Sequence, residues 1–243
     1  MISCARPVIG IVLDEHFDFS SPGVGFSSRP FYALRMDYFN AIQLAGGIPI
    51  GVPYHADAIA DFAAICKGWV LPGGDYRFEP SWYRKGPPAS EPNFSLRRRF
   101  EFEIAKEILK SQTPVLGICN GMQVMAGLTG GKIDFGNPNE GGIAHKSACS
   151  ALATHDIALK AGTKLHAIYR SDRLTTNSSH REFVISVGEG VSVSARSADN
   201  VIEAIEIDDH AFAIGVQWHP EINSDEADPL IEGLVRTASL SLG

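Results

Sequence analysis

Pro114-Val115-Leu116-Gly117-Ile118-Cys119-Asn120-Gly121-Met122-Gln123 is the stretch on which the fold turns. Its first residues form a short apolar, β-branched run of the kind that fills a buried strand. A Gly-x-Cys-x-Gly turn follows, and Met122 to Leu128 then favours a helix. A strand that turns sharply into a helix, with a reactive side chain between two glycines, has the form of a nucleophile elbow, here centred on cysteine. Gly117 and Gly121 lack Cβ atoms, so strand and helix are free to approach closely around the turn. The expected result is a Cys119 sulfur raised above the sheet edge at a helix N-terminus, whose positive end favours an anionic sulfur.

Upstream of the elbow, strand and helix patterns alternate. Val8 to Leu13 is a compact apolar run suited to a strand, and Asp14 to Arg29 reads as loop. Pro30 is placed as a first helical residue, with Phe31, Leu34, Tyr38, Ala41, Ile42 and Ala45 at helical spacing and Gly46-Gly47 as the stop. Ile48 to Val52 is a second strand, near an edge because of Pro49. Asp57 to Lys67 reads as a short helix, Trp69 to Leu71 as a strand ending in Pro72-Gly73-Gly74, and Tyr76 to Asn93 as loop. Ser95 caps a helix carrying Leu96, Phe100, Ile104 and Ile108. Such alternation predicts an α/β fold with a mostly parallel sheet covered by helices on both faces.

Beyond residue 128 the pattern changes. Gly130 to Ser150 reads as irregular, and Ile157 to Leu159 as a short strand. Val191 to Ala195 and Val201 to Ile207 predict a hairpin around Ser197 to Asn200. Phe212 to Trp218 is a further strand, and a helix is expected from Asp228 to Leu240. With no internal repeat or low-complexity linker, residues 1–243 are expected to form one domain with a smaller antiparallel β element in the C-terminal half.

Composition narrows the function. With 44% hydrophobic and 20% charged residues, the chain suits a globular protein with a substantial core, and its formal charge of −7 argues against nucleic acid or an anionic membrane as partner. Arg97-Arg98-Arg99 is the lone cationic run and is expected on a solvated helix face. Four cysteines stand far apart without metal-ligand spacing. Neither a signal peptide nor a membrane span is legible, so a reducing cytoplasm is the expected location.

In an open parallel sheet, reacting groups gather at the carboxyl ends of the strands. Three such ends carry suggestive residues: Gly73-Gly74, Cys119 and His219-Pro220-Glu221. A cysteine nucleophile needs a base, and the base needs an orienting carboxylate. His219 and Glu221, two residues apart on extended chain, suit those tasks. Backbone N–H groups at Gly73-Gly74 and at Asn120 suit an oxyanion hole.

These segments resemble the signature of class I glutamine amidotransferases. The resemblance covers Gly117 to Gln123, Gly215 to Glu221 and the strand Leu71-Pro72-Gly73-Gly74-Asp75. Within that class the chain is most similar to γ-glutamyl-γ-aminobutyrate hydrolases, the peptidase C26-like branch, through Gly46 to Pro49, Thr176 to His180 and Ile202 to Glu206. The resemblance runs from about Val8 to Glu221. It implies a flavodoxin-like sheet, with Cys119 as nucleophile, His219 as base and acid, and Glu221 as orienter. The implied reaction is hydrolysis of a γ-glutamyl amide through a thioester, with no metal and no organic cofactor.

Expected substrate contacts are Gly73, Gly74, Asn120, Gln123, Asn177, Ser178 and His180. The chain departs from the branch at Asn120, after His180 and after Gly74, all on the substrate side. The expected partner is a small γ-glutamyl molecule, with a homodimer as the base-rate assembly. Two other functions stay open: a glutaminase component passing ammonia to a separate synthase chain, and a non-catalytic module that keeps the fold. The aromatics Tyr76, Phe78, Trp82 and Tyr83 either line the leaving-group site or pin their loop, and His145 and His155 carry no role from sequence.

Overall fold

Apolar residues alternate along the central strands, and that alternation builds two cores. In the computed structural model, which describes residues 6–16, 31–86, 95–136, 143–146, 152–222 and 226–241, the chain begins with β1 (Val8–Val12), β2 (Asp14–His16), β3 (Phe31–Ala33), α1 (Met36–Leu44) and β4 (Ile48–Val52). Next come α2 (Ile59–Ile65), β5 (Gly68–Leu71), α3 (Leu96–Lys110), β6 (Val115–Ile118) and α4 (Asn120–Leu128). The second half holds β7 (Lys132–Phe135), β8 (Ala153–Leu159), α5 (Lys164–Tyr169), β9 (Arg173–Ser178), β10 (Glu182–Ser186), β11 (Val191–Ser197), β12 (Ile202–Ile207), β13 (Ala213–Val216) and α6 (Pro229–Leu240).

Nine strands form one continuous sheet in the order β4-β1-β5-β6-β13-β12-β11-β8-β9. The first five are mutually parallel and the remaining neighbours pair antiparallel. Counted by chain order, the parallel strands run 2-1-3-4-5, the flavodoxin-like arrangement. Trp69 and Leu71 of β5 point into one core with Phe100, Ile104 and Met122, while Val70 points into the other with Ile9, Ile11, Leu116 and Leu234. A period of two therefore covers both faces with helices, as expected for parallel strands.

Local signals set the helix ends. The Ser95 hydroxyl accepts the Arg98 N–H at 3.2 Å, and the Asp228 carboxylate accepts that of Leu230 at 2.8 Å, with Pro229 opening α6. Gly46, at φ +89°, ends α1. The edge position of β4 agrees with Pro49.

Several expectations need correction. The helix read from Pro30 begins instead at Met36, because Phe31–Ala33 pairs with Asp14–His16 as an antiparallel ribbon and Arg35 is extended, with ψ 140°. Pro30 itself, and most of the Asp14 to Arg29 loop, lie outside the described residues. Within Gly130 to Ser150, Lys132–Phe135 is a strand paired with β10. Its four residues alternate polar and apolar in sequence, Ile133 and Asp134 are both buried, and the run is too short to register alone. The predicted strand at Ile157 extends back to Ala153 and alternates strictly between buried and exposed positions. β9 escapes a sequence reading because it is polar, β10 because its apolar run is only three residues, and α5 because six residues make less than two turns.

The described part of the Tyr76 loop is anchored by aromatic packing. Phe78 and Trp82 stack at 5.7 Å and Trp82 and Phe102 at 4.7 Å. Of the two roles weighed for these aromatics, pinning the loop is the one the packing supports. Among the described residues no helix is long and apolar enough to cross a membrane.

Candidate active site

The site begins with the turn between β6 and α4. Cys119 has φ 51° and ψ −102°, a strained backbone for a residue with a Cβ, and its N–H donates to Val216 O of β13 at 2.7 Å. A Cβ on Gly121 would lie 2.1 Å from Leu71 O, and one on Gly117 would lie 2.7 Å from Met125 Sδ. Those missing carbons let α4 sit across the ends of β5 and β6, with Cys119 at the apex.

His219 arrives just beyond β13, the strand beside β6. A Cβ placed on Gly73 would stand 3.0 Å from His219 Cε1 and 3.7 Å from Cys119 Cβ, so imidazole and thiol side chain converge on one glycine. Glu221 Oε1 accepts from His219 Nδ1 at 2.7 Å, which turns Nε2 toward the sulfur. Burial on its own would lower the pKa of His219. Hydrogen bonds to Cys119 and Glu221 more than reverse this and lift it to about 10. The imidazole is thus held as its cation between the sulfur of Cys119 and the carboxylate of Glu221.

Asn177 sets the backbone of His219. Its amide Nδ2 donates to His219 O at 2.8 Å, and its Oδ1 accepts the His219 N–H at 2.9 Å. Ser178 donates to His145 O at 2.8 Å, inside the protein. Asn177 and Ser178, expected as substrate contacts, therefore have their side chains engaged by the protein itself. His180 is buried beside His145 and Glu203. Gln123 donates to Glu182 O at 2.7 Å and to Gln217 Oε1 at 3.0 Å, and Gln217 in turn donates to Cys119 Sγ at 3.4 Å. Gln123 thus reaches the sulfur through Gln217, a residue the sequence reading passed over.

On the opposite side of the sulfur lies the turn after β5. The Gly73 N–H, expected to face the cleft, donates instead to the Tyr38 hydroxyl at 3.0 Å. The N–H groups of Gly74 and Asn120 have no acceptor among the described residues. Behind the turn stands Arg97, 1% exposed, whose Nη2 donates to Pro72 O at 2.8 Å. Its Nε pairs with Glu101 at 3.0 Å, and Tyr76 donates to the same carboxylate oxygen at 2.9 Å. The solvated arginine face expected at Arg97 to Arg99 is therefore wrong for Arg97. Arg97 and Glu101 are i and i+4, one helix turn apart, a spacing that permits the pair without announcing its burial.

Two cavities meet at Cys119. The larger, about 520 Å³, is lined by His219, Tyr38, Arg35, Asp14 and Gly73. The smaller, about 100 Å³, lies over the elbow helix between Asn120, Gln123, Lys146, Arg181 and Glu182. Gly74, Asp75 and Ser179 border both.

A model of the peptidase C26 family matches residues 7–221. The chain belongs to the peptidase C26 family. A glutamine amidotransferase-like protein of Rickettsia prowazekii (strain Madrid E) is 32% identical, over 90% of this chain and 92% of its own. The γ-glutamyl-γ-aminobutyrate hydrolase PuuD of Escherichia coli (strain K12) is 28% identical, over 91% and 88%. The glutaminase domain of Trypanosoma brucei CTPS shares the fold, with a TM-score of 0.62 at 16% identity over 97% of this chain and 94% of that one. The resemblance carried by the elbow and the His219 segment thus holds at the level of the family, and the C26 relatives support a hydrolase.

Proposed function

We propose that this C26 protein hydrolyses γ-glutamyl amides of small amines, with Cys119, His219 and Glu221 as its catalytic triad. The observation that carries the reading is the Cys119–His219–Glu221 chain standing where two cavities of unequal size meet. A leaving amine must take a proton from His219, so it belongs in the larger cavity, which His219 lines. The glutamyl group then occupies the smaller one, where Lys146 and Arg181 suit a carboxylate and Glu182 an ammonium.

In the first half-reaction the Cys119 thiolate attacks the γ-carbonyl carbon. The oxygen takes up the negative charge facing the N–H groups of Gly74 and Asn120. His219 Nε2–H gives its proton to the amide nitrogen, the C–N bond breaks, and a free amine leaves a γ-glutamyl thioester on Cys119. In the second, His219 removes a proton from water, and the hydroxide attacks the thioester carbon. The C–S bond breaks, glutamate departs, and the ion pair is restored. Glu221 keeps the imidazole in the required orientation throughout.

Free glutamate, assayed after incubation with γ-glutamyl-GABA, other γ-glutamyl amides and glutamine, tests the reading. Release from the amides, absent in Cys119→Ala, is the expected result. No release from any of them overturns it. Release from glutamine alone, increased by an added synthase chain, moves the assignment to an amidotransferase component.

A further inference from the structure

Three histidines from separate segments converge on one buried carboxylate, and one of them, His180, also borders the smaller cavity. His155 Nε2, on β8, lies 3.2 Å from Glu203 Oε1 of β12. His145 Nδ1 lies 3.3 Å from the same oxygen, and His180 Nε2, just past β9, 3.9 Å from it. The ligand-capable atoms of His145, His155 and Glu203 all fall within 4.8 Å of one another. In a tetrahedral zinc site, bonds of about 2.0–2.1 Å place neighbouring ligand atoms roughly 3.4 Å apart.

The outward-facing nitrogens strengthen the case. Asp199 Oδ2 sits 2.8 Å from His145 Nε2, and Glu182 O lies 3.1 Å from His180 Nδ1. A backbone carbonyl accepts only, so His180 Nδ1 carries the hydrogen, and in the neutral ring Nε2 presents a lone pair toward Glu203. That nitrogen and Glu203 Oε2 are both buried without a hydrogen-bond partner among the described residues. A lone pair facing a carboxylate is repulsive unless a cation stands between them. A histidine whose far nitrogen is held by a carboxylate or carbonyl is also the usual support around a metal ligand. Glu203 is a fully buried carboxylate and Asp199 a half-buried one beside it, and one divalent cation balances both.

We propose that His145, His155, His180 and Glu203 bind one zinc-type divalent ion, with Asp199 and the Glu182 carbonyl orienting two of the imidazoles. The site is structural, and of its four ligands His180 alone borders the smaller cavity. His180 N–H and Ser178 Oγ both donate to His145 O, and Asn177, the neighbour of Ser178, holds the backbone of His219. An ion here ties β8, β12 and the end of β9 together behind His219. Cysteine spacing gave no hint of it, because the ligands are histidines and a glutamate spread over four segments.

The test strips the full-length chain with a chelator, dialyses it and titrates it with Zn2+, and separately with Co2+. One ion per chain is expected. A raised thermal midpoint and the visible absorption of tetrahedral Co2+ without a thiolate charge-transfer band should accompany it. All three should persist in Cys119→Ser. His155→Ala should abolish stoichiometric binding. Asp199→Asn, which alters the outer partner of His145 and keeps an oxygen for the Ser197 hydroxyl, should weaken it about 10- to 100-fold. Equal, substoichiometric metal in wild type and His155→Ala, with a melting point indifferent to Zn2+ and chelator, overturns the proposal and leaves protons on the histidines to balance the charge. Should His155→Ala fail to fold, the wild-type titration and Asp199→Asn decide the matter.

Discussion

His219 is held by three different kinds of contact: the sulfur of Cys119, the carboxylate of Glu221 and the amide of Asn177. Its pKa of about 10 stands above the ordinary 6.5, so the folded chain keeps a proton that the unfolded chain releases between those values. The stability this group contributes is complete below pH 6.5, declines as pH rises, and is gone above about 10. Denaturation midpoints at pH 6, 8 and 10, together with an NMR titration of the His219 ring, measure this. In Cys119→Ala the ring should titrate at a lower pH, and an unchanged midpoint would mean the sulfur is not its partner. Asn177→Ala leaves the N–H and carbonyl of His219 without their partners, at a cost of about 1–3 kcal/mol. A small displacement of an acid–base residue is costly in rate. The expected result is therefore a kcat reduced about 10- to 100-fold with KM little altered and circular dichroism unchanged, and a loss of kcat matched by an equal loss of folded signal would point to general unfolding instead. The chemistry-bearing residues were legible because each stands beside local punctuation, two glycines around Cys119 and a proline between His219 and Glu221. Asn177 was found but misread, since nothing in its neighbours says which backbone it will meet forty-two residues on.

At the scale of elements, the elbow depends on close approach between backbones. Gly121→Ala would put a carbon 2.1 Å from Leu71 O, and backbone cannot step aside as a flexible side chain does. A loss of at least about 3 kcal/mol is expected, whereas Gly136→Ala, with nothing within 4 Å of the added carbon, should be close to neutral. Paired urea titrations of the two variants check the contrast, and similar midpoints would show that the turn yields. The Arg97–Glu101 pair works at the same scale, since it fixes the carbonyl of Pro72 and with it the turn that presents the Gly74 N–H. Three consecutive arginines look solvated in sequence. Burial of the first is decided by α3 crossing the end of β5, which no local pattern encodes.

For the whole molecule, the nine-stranded sheet is unbroken from its parallel half into its antiparallel half, through the β13–β12 pairing at Ala204↔Val216. Both cores share strands with that sheet, so unfolding should occur in one step. Calorimetry is expected to return equal calorimetric and van't Hoff enthalpies, and two separable transitions would show that the halves are independent units. The sequence by itself determined the parallel half, the elbow and the residues that form the Cys119–His219–Glu221 chain. Hydrophobic periodicity and glycine sterics act over a few residues and survive in any one window. Only the tertiary structure decided that Tyr38 takes the Gly73 N–H, that Arg97 is interior, that polar strands such as β9 join the sheet, and that three scattered histidines share one carboxylate. Those arrangements rest on partners 15 to nearly 60 residues away, and their energies exist only once the chain has closed around them.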